Sequence, residues 1–163
     1  MTNRPCVLVA DDDPDEIFLL RWAFKRAGLT HELRDLSDGA AIVEYLNGAP
    51  PFDDRVRYPF PNLLLVDLKM PRMNGFDVLR WLQSQPHLKH VPAVVLSSSD
   101  FEADVQLAGK LGAREFLTKP SDLGDWVTLA QVLHQRWLAG HSQLATVSSG
   151  AIQGHGLVAS VRP

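Results

Sequence analysis

Five short apolar runs, each ending in a charged or hydroxyl-bearing stretch and each followed by a helix-like segment, constrain this chain more than any other feature. The first, Cys6–Ala10 (CVLVA), is β-branched at Val7 and Val9 and reads as a strand buried on both faces. A weaker strand is predicted over residues 31–36. Leu63–Val66 (LLLV) is the strongest, residues 93–96 form another buried one, and Glu115–Thr118 a short fifth.

The intervening segments carry helical spacing and end signals. Asp13 suits an N-cap, Pro14 the first helical position, and Glu16 the far corner of a capping box. Ile17, Leu20, Phe24 and Ala27 then recur at helical spacing, and Gly28 suits a left-handed stop. Further helices are predicted over residues 40–46, over Gly75–Gln83 with Val78, Leu79 and Leu82 on one side, over residues 101–111 with Gly112 as the stop, and over residues 123–138. Residues 47–61 hold four of the eleven prolines, and their Asp53, Asp54, Arg55 and Arg57 read as a solvated loop able to touch a partner. Strict alternation of this kind implies an α/β domain with a five-stranded, mainly parallel sheet and right-handed crossovers.

At 163 residues the chain suits one domain, placed at residues 5–138, and a tail over residues 139–163. The tail is rich in small residues without a period and is predicted to be flexible, with residues 157–161 at most a short extended piece. Cys6 is the only cysteine, so no internal disulfide forms. A formal charge of −3 with no basic stripe argues against a nucleic-acid partner. No apolar run approaches the roughly 20 residues of a membrane span, and the N-terminus lacks a signal-peptide pattern. A cytoplasmic protein without membrane contact is the expectation.

In parallel α/β sheets, ligands gather outside the carboxyl ends of the strands. Asp11, Asp12 and Asp13 follow the first strand, Asp67 the third, Ser97 the fourth and Lys119 the fifth. Adjacent strands lie about 4.8 Å apart, so these groups can meet in one crevice. Clustered carboxylates need a cation, and an oxygen-only donor set favours a hard divalent ion such as Mg²⁺. With a carboxylate as nucleophile and a lysine to hold an oxygen, the parts match metal-assisted phosphoryl transfer.

The run Asp67-Leu68-Lys69-Met70-Pro71 with Gly75, Ser97 and Lys119-Pro120 resembles the receiver domain of bacterial two-component response regulators, and Asp11-Asp12 sits where that family carries its metal-binding acids. The resemblance spans residues 5–138 and implies a doubly wound, flavodoxin-like (βα)5 fold. It implies that Asp67 takes a phosphoryl group from a sensor histidine kinase and is not part of a conventional enzyme. Asp12 and Asp67 would bind Mg²⁺ directly, Lys69 would add its backbone carbonyl, and Asp11 would hold metal-bound water. Ser97 and Lys119 would contact the phosphoryl oxygens, the latter beside a cis Lys119–Pro120 bond. Phe116 would be the aromatic switch residue, turning inward as Ser97 moves.

The Pro-rich insert and Arg72 are similar to single-domain regulators serving phytochrome-type and hybrid sensors. For these, the resemblance implies signalling by protein contact or onward phosphotransfer. It also implies a homodimer through the fourth helix, fifth strand and fifth helix, with Trp126, Val127, Leu133 and Trp137 as candidates. Lys69 departs from the neutral side chain common two residues after the nucleophile. It could pair with Asp11, Asp13 or the phosphate, and so alter phosphate lifetime. Ser97 keeps the hydroxyl of the commoner threonine.

Two other readings use the same residues. A haloacid-dehalogenase-type phosphohydrolase would use Asp11 within Asp-x-Asp, with Asp122 and Asp125 as later acids, but leaves Asp67 unexplained. A pseudo-receiver would only dimerise. His87 and His90 have metal-like spacing but flank a proline-rich loop. The four tryptophans suit core and interface better than a cofactor cage.

Overall fold

Every predicted strand forms, within one residue of its expected bounds. The computed structural model describes residues 4–141 and 158–159. The order is β1 (Cys6–Ala10), α1 (Pro14–Arg26), β2 (Glu32–Leu36), α2 (Gly39–Asn47), β3 (Leu63–Val66), α3 (Gly75–Gln83), β4 (Ala93–Ser97), α4 (Glu102–Lys110), β5 (Glu115–Thr118), α5 (Leu123–Leu133) and β6 (Val158–Ala159). The sheet order is β2-β1-β3-β4-β5-β6. The first five strands are parallel, with Leu8 opposite both Arg34 and Leu64, while the two-residue β6 runs antiparallel to β5.

Alternation along each buried strand splits the core in two. Leu8, Ala10, Leu64, Val66, Val95 and Phe116 face the layer that holds Ile42, Tyr45, Val78 and Ala108 of α2, α3 and α4. Val7, Val9, Leu63, Leu65, Leu96 and Leu117 face Leu20, Phe24, Trp126 and Leu133 of α1 and α5. This doubly wound arrangement is the flavodoxin-like fold foreseen from the alternation and the resemblance. Cys6, on β1, is buried, and burial followed by the Glu32 charge pushes its thiol up to about 11.

Several local expectations change. Asp13 caps α1 by accepting from Asp15 N, but Glu16 does not close a capping box. The Asp13 backbone N–H donates to Asp11 Oδ1 at 2.9 Å instead, which frees Glu16 to point elsewhere. Arg55 is not merely solvated. Its guanidinium donates to the carbonyls of Tyr45 and Leu46 at 2.9 and 3.0 Å, satisfying the end of α2, and lies 4.2 Å from the Phe60 ring centroid. Trp126 and Leu133 are 3% and 0% exposed and belong to the core, because they face α1 and the sheet.

The last helix is α-helical only to Leu133 and widens into a π turn over His134–Leu138. There Arg136 and Trp137, adjacent in sequence, both bond the buried Glu115 carboxylate, Trp137 Nε1 at 2.8 Å. His134 meets His31 from the α1–β2 connection, with Nε2 of His31 2.8 Å from Nδ1 of His134. The short extended piece foreseen near the C-terminus is present as β6. The rest of the flexible-tail expectation, on residues 142–157 and 160–163, lies outside the described residues.

Candidate functional site

The carboxyl ends of β1, β3 and β5 bring the site together: β1 and β3 are paired in register, and β5 follows on the far side of β4. Asp67 N donates to Ala10 O at 2.9 Å, which locks the end of β3 to the end of β1 and sets Asp67 beside Asp11 and Asp12. One carboxylate oxygen from each of Asp11, Asp12 and Asp67 lies within 4.8 Å of the others. Asp11 and Asp67 are each 7% exposed, whereas Asp12 is exposed. Three anionic oxygens converging this closely repel one another, and a hard divalent cation is the group that fits such a donor set. Lys69 N approaches Asp67 Oδ1 at 3.5 Å, so its carbonyl belongs to the same loop.

Lys119 reaches into this cluster from the end of β5, where Lys119 N donates to Ser97 O at 2.8 Å. Its ammonium lies 2.8 Å from Asp11 Oδ2 and 3.1 Å from Asp67 Oδ2, and it also pairs with Glu16. Burial works against the lysine charge, but hydrogen bonds to Asp11 and Glu16 and the nearby Asp67 hold its pKa above the ordinary lysine value. Burial raises the Asp67 pKa, Lys119 opposes that, and Asp11 adds to it. The carboxylate is thus short of solvation and held in place by one cation.

Ser97 is fully buried at the end of β4, level with Thr118 of β5, and its Oγ accepts from Ser99 N at 3.2 Å. Phe116 is 0% exposed, so the inward position foreseen as the outcome of switching is the one this structure has. The Lys119–Pro120 bond is trans; the cis X–Pro bond among the described residues is Pro50–Pro51. Because X–Pro bonds prefer trans only slightly, the residue types alone did not decide this.

Lys69 is exposed and forms no ion pair among the described residues, so the pairing foreseen with Asp11 or Asp13 is absent. Asp11 and Asp13 are occupied by Lys119 and by the backbone of α1. Asp122 is the N-cap of α5, accepting from Asp125 N at 2.9 Å, so these acids serve a helix end rather than the cluster. His87 and His90 are exposed and outside it.

Two participants were missed. Glu16 was assigned to a cap. The pair Asp38–Arg72 was not singled out, although Asp38 N-caps α2 and is 3% exposed. Arg72, at φ 61°, donates through Nε to Asp38 Oδ2 at 3.0 Å, and Gly39 N donates to Met73 O at 3.0 Å. These bonds tie the loop after Asp67 to α2. Burial raises the Asp38 pKa, but the Arg72 and Ala41 hydrogen bonds outweigh it and hold the carboxyl below the usual range. The Asp-Gly pair before a predicted helix was the available signal.

A family model, that of the response regulator receiver domain, matches residues 7–131. Response regulator Rcp1 of Synechocystis sp. is 33% identical over 138 residues, covering 84% of this chain and 92% of that protein. The crystal structure of response regulator RPA3017 in red light signaling of R. palustris superposes with a TM-score of 0.79 at 33% identity, covering 88% of this chain and 99% of that one. The Mn²⁺-bound form of response regulator Rcp1 gives a TM-score of 0.73 at 30% identity, covering 89% and 99%.

Proposed function

The chain belongs to the response regulator receiver family and is a phosphoryl-accepting component of a two-component system; from that premise we propose that Asp67 is the accepting residue. The observation that carries this is the position of Asp67, within 4.8 Å of the oxygens of Asp11 and Asp12 and 3.1 Å from Lys119 Nζ. In the reaction, an Asp67 carboxylate oxygen attacks the phosphorus of a phosphohistidine. The new P–O bond forms as the P–N bond breaks, and histidine leaves. Lys119 holds a phosphoryl oxygen and offsets the charge that gathers there. Ser97, 0% exposed, turns its hydroxyl from Ser99 N toward the phosphoryl group.

Asp11, Asp12, Asp67 and the Lys69 carbonyl would hold Mg²⁺, which supplies charge neutralisation when bound. The family is generally one of switches rather than of conventional enzymes. Phosphorylation enlarges Asp67 and adds negative charge, to which the loops carrying Ser97 and Lys119 respond. With Phe116 already inward, that response falls on the loops rather than on an aromatic swing.

A histidine kinase is the donor, and a phytochrome-type sensor fits the red-light setting of the R. palustris relative. Output is through protein contact or onward transfer, with the folded unit over residues 5–138. A homodimer through α4, β5 and α5 completes this reading. The exposed apolar residues on those helices are Phe101, Leu107 and Leu123, rather than Trp126 and Leu133. Among the described residues, no helix is long and apolar enough to cross a membrane.

Incubation with Mg²⁺ and acetyl phosphate, or with a phosphorylated histidine kinase, followed by mapping of the acyl phosphate, tests the assignment. Label on Asp67 supports it. Label on Asp11 with rapid turnover would indicate the hydrolase, and absence of label a scaffold.

A further inference from the structure

Lys119 has more partners than the transfer reaction requires of it. A lysine ammonium offers three donors, and three carboxylates surround this one: Asp11, Asp67 and Glu16. Two of those donors are hydrogen-bonded to Asp11 and Glu16 and the ammonium also lies 3.1 Å from Asp67 Oδ2, so a phosphoryl oxygen must compete with a carboxylate for it. Asp11 and Asp67 sit at the rigid ends of paired strands with side chains 6% and 9% exposed, and Asp11 also accepts from Asp13 N. Glu16 stands apart. It lies in the first turn of α1, lacks the capping role its spacing suggested, belongs to none of the carboxylates grouped with Asp12, and is 28% exposed. It can return to water at the lowest cost.

We infer that Glu16 is a displaceable counter-ion that pairs with Lys119 before transfer and is exchanged for a phosphoryl oxygen afterwards. This rests on the reading of Asp67 as acceptor. Before transfer, Glu16 occupies the buried ammonium, which Asp11 and Asp67 hold in the cluster. During transfer, the phosphoryl oxygens bring stronger negative charge to the same donor, and Glu16 both loses its partner and is repelled. The released carboxylate then faces solvent at the start of α1. Filling the site therefore changes the surface of α1.

The inference separates two rates. Breaking the Glu16–Lys119 pair is part of the barrier to acceptance, but the pair is already broken when phospho-Asp67 decays. With acetyl phosphate as donor, the bond from phosphorus to acetate breaks, the bond to Asp67 forms, and acetate leaves. Glu16→Gln keeps the shape and removes the charge. It is expected to accept from acetyl phosphate about fivefold faster, the scale of one partly exposed ion pair. Beryllofluoride, which imitates the phosphoryl group, is expected to bind about fivefold more tightly by the same reasoning. The decay rate of phospho-Asp67 stays within about twofold. Glu16→Ala, which also removes the reach, is expected to show the same split, with thermal unfolding followed for both variants.

Equal or slower acceptance by both variants overturns the inference, as does a parallel change in acceptance and decay, which indicates a merely structural role. Failure of the wild type to take label on Asp67 removes the underlying assignment instead. The two failures are thus distinguishable in one experiment.

Discussion

Gly75 packs against the backbone of Asp67 so closely that a Cβ at Gly75 would lie 2.3 Å from the Asp67 carbonyl oxygen and 2.9 Å from Leu68 Cα. The helix that follows the acceptor is therefore seated directly on it, with Gly75 N donating to Leu68 O at 3.1 Å. Gly75→Ala must push the β3–α3 loop away from β3. The expected result is a loss of about 2–3 kcal/mol of stability and a fall of at least about tenfold in acceptance from acetyl phosphate, because Asp67 loses its alignment. Urea unfolding and a phosphorylation time course check the two effects, and wild-type behaviour in either removes this account of the glycine.

Asp67→Asn abolishes acyl-phosphate labelling. It also relieves a buried charge. The Asp67 pKa is raised by burial, so the folded state binds more protons than the unfolded one, and stability falls as pH rises from the usual carboxylate value through the raised one. Without divalent ions at neutral pH, the variant is expected to be more stable than the wild type. Mg²⁺ near 100 times its dissociation constant is expected to stabilise the wild type by about 2.7 kcal/mol and the variant far less. Calorimetry with and without EDTA measures both.

Lys69 projects into solvent from the loop that carries the Asp67–Lys69 backbone contact. A cation carried two residues after the acceptor is expected to obstruct or misorient attacking water. Lys69→Asn is expected to shorten the half-life of phospho-Asp67 by roughly threefold, a barrier change of about 0.7 kcal/mol. Identical half-lives would rule this role out.

His31 gives the fold an acid-sensitive contact. Burial, followed by the neighbouring His134, lowers its pKa from 6.5 to about 4. It packs edge-on against Phe24 at 5.9 Å, and its Nδ1 has no partner among the described residues. A histidine with a depressed folded pKa contributes stability above its unfolded value, and that contribution is lost as pH falls from 6.5 toward 4. Discounting for partial exposure, the loss is about 1–2 kcal/mol. His31→Gln should flatten the pH dependence of the melting temperature across that window; an unchanged slope would exclude His31 as its source.

Gly48 caps α2 through its backbone N–H, and Arg55 adds to that cap by donating to the Tyr45 and Leu46 carbonyls. Arg55→Ala leaves the Leu46 carbonyl and the Phe60 ring face without the guanidinium, while Tyr45 O keeps Gly48 N at 3.1 Å, and about 1 kcal/mol of stability is expected to go with them. The acceptance rate should be unaffected, since Arg55 bonds the end of α2 and neither Asp67 nor Lys119. Chemical denaturation set beside the labelling rate separates stability from function.

The strands and the three-acid cluster were legible because buried parallel strands are continuous apolar runs, and ligands collect where those runs end. Asp11, Asp12, Asp67 and Lys119 meet because strand register places them, and register follows from the same apolar pattern. Glu16 was not legible in its working role. A glutamate three residues after an N-cap has a local explanation that fits equally well, and only the position of Lys119, 103 residues away, decides between them. Arg55 and Trp126 failed for related reasons. A loop arginine and an amphipathic-helix tryptophan have two plausible environments each, and long-range packing chooses. The π turn at His134–Leu138 follows from two side chains sharing Glu115, a contact no local spacing reveals.

The burial of Cys6 has a chemical corollary. A thiol that ionises only near 11 is almost wholly protonated at neutral pH, and thiols react with oxidants and alkylating agents through the thiolate. The sole sulfhydryl of the chain is therefore silent toward peroxide and toward thiol–disulfide exchange. Thiol-coupled fluorescent labels are therefore expected to attach efficiently only where an exposed cysteine is introduced.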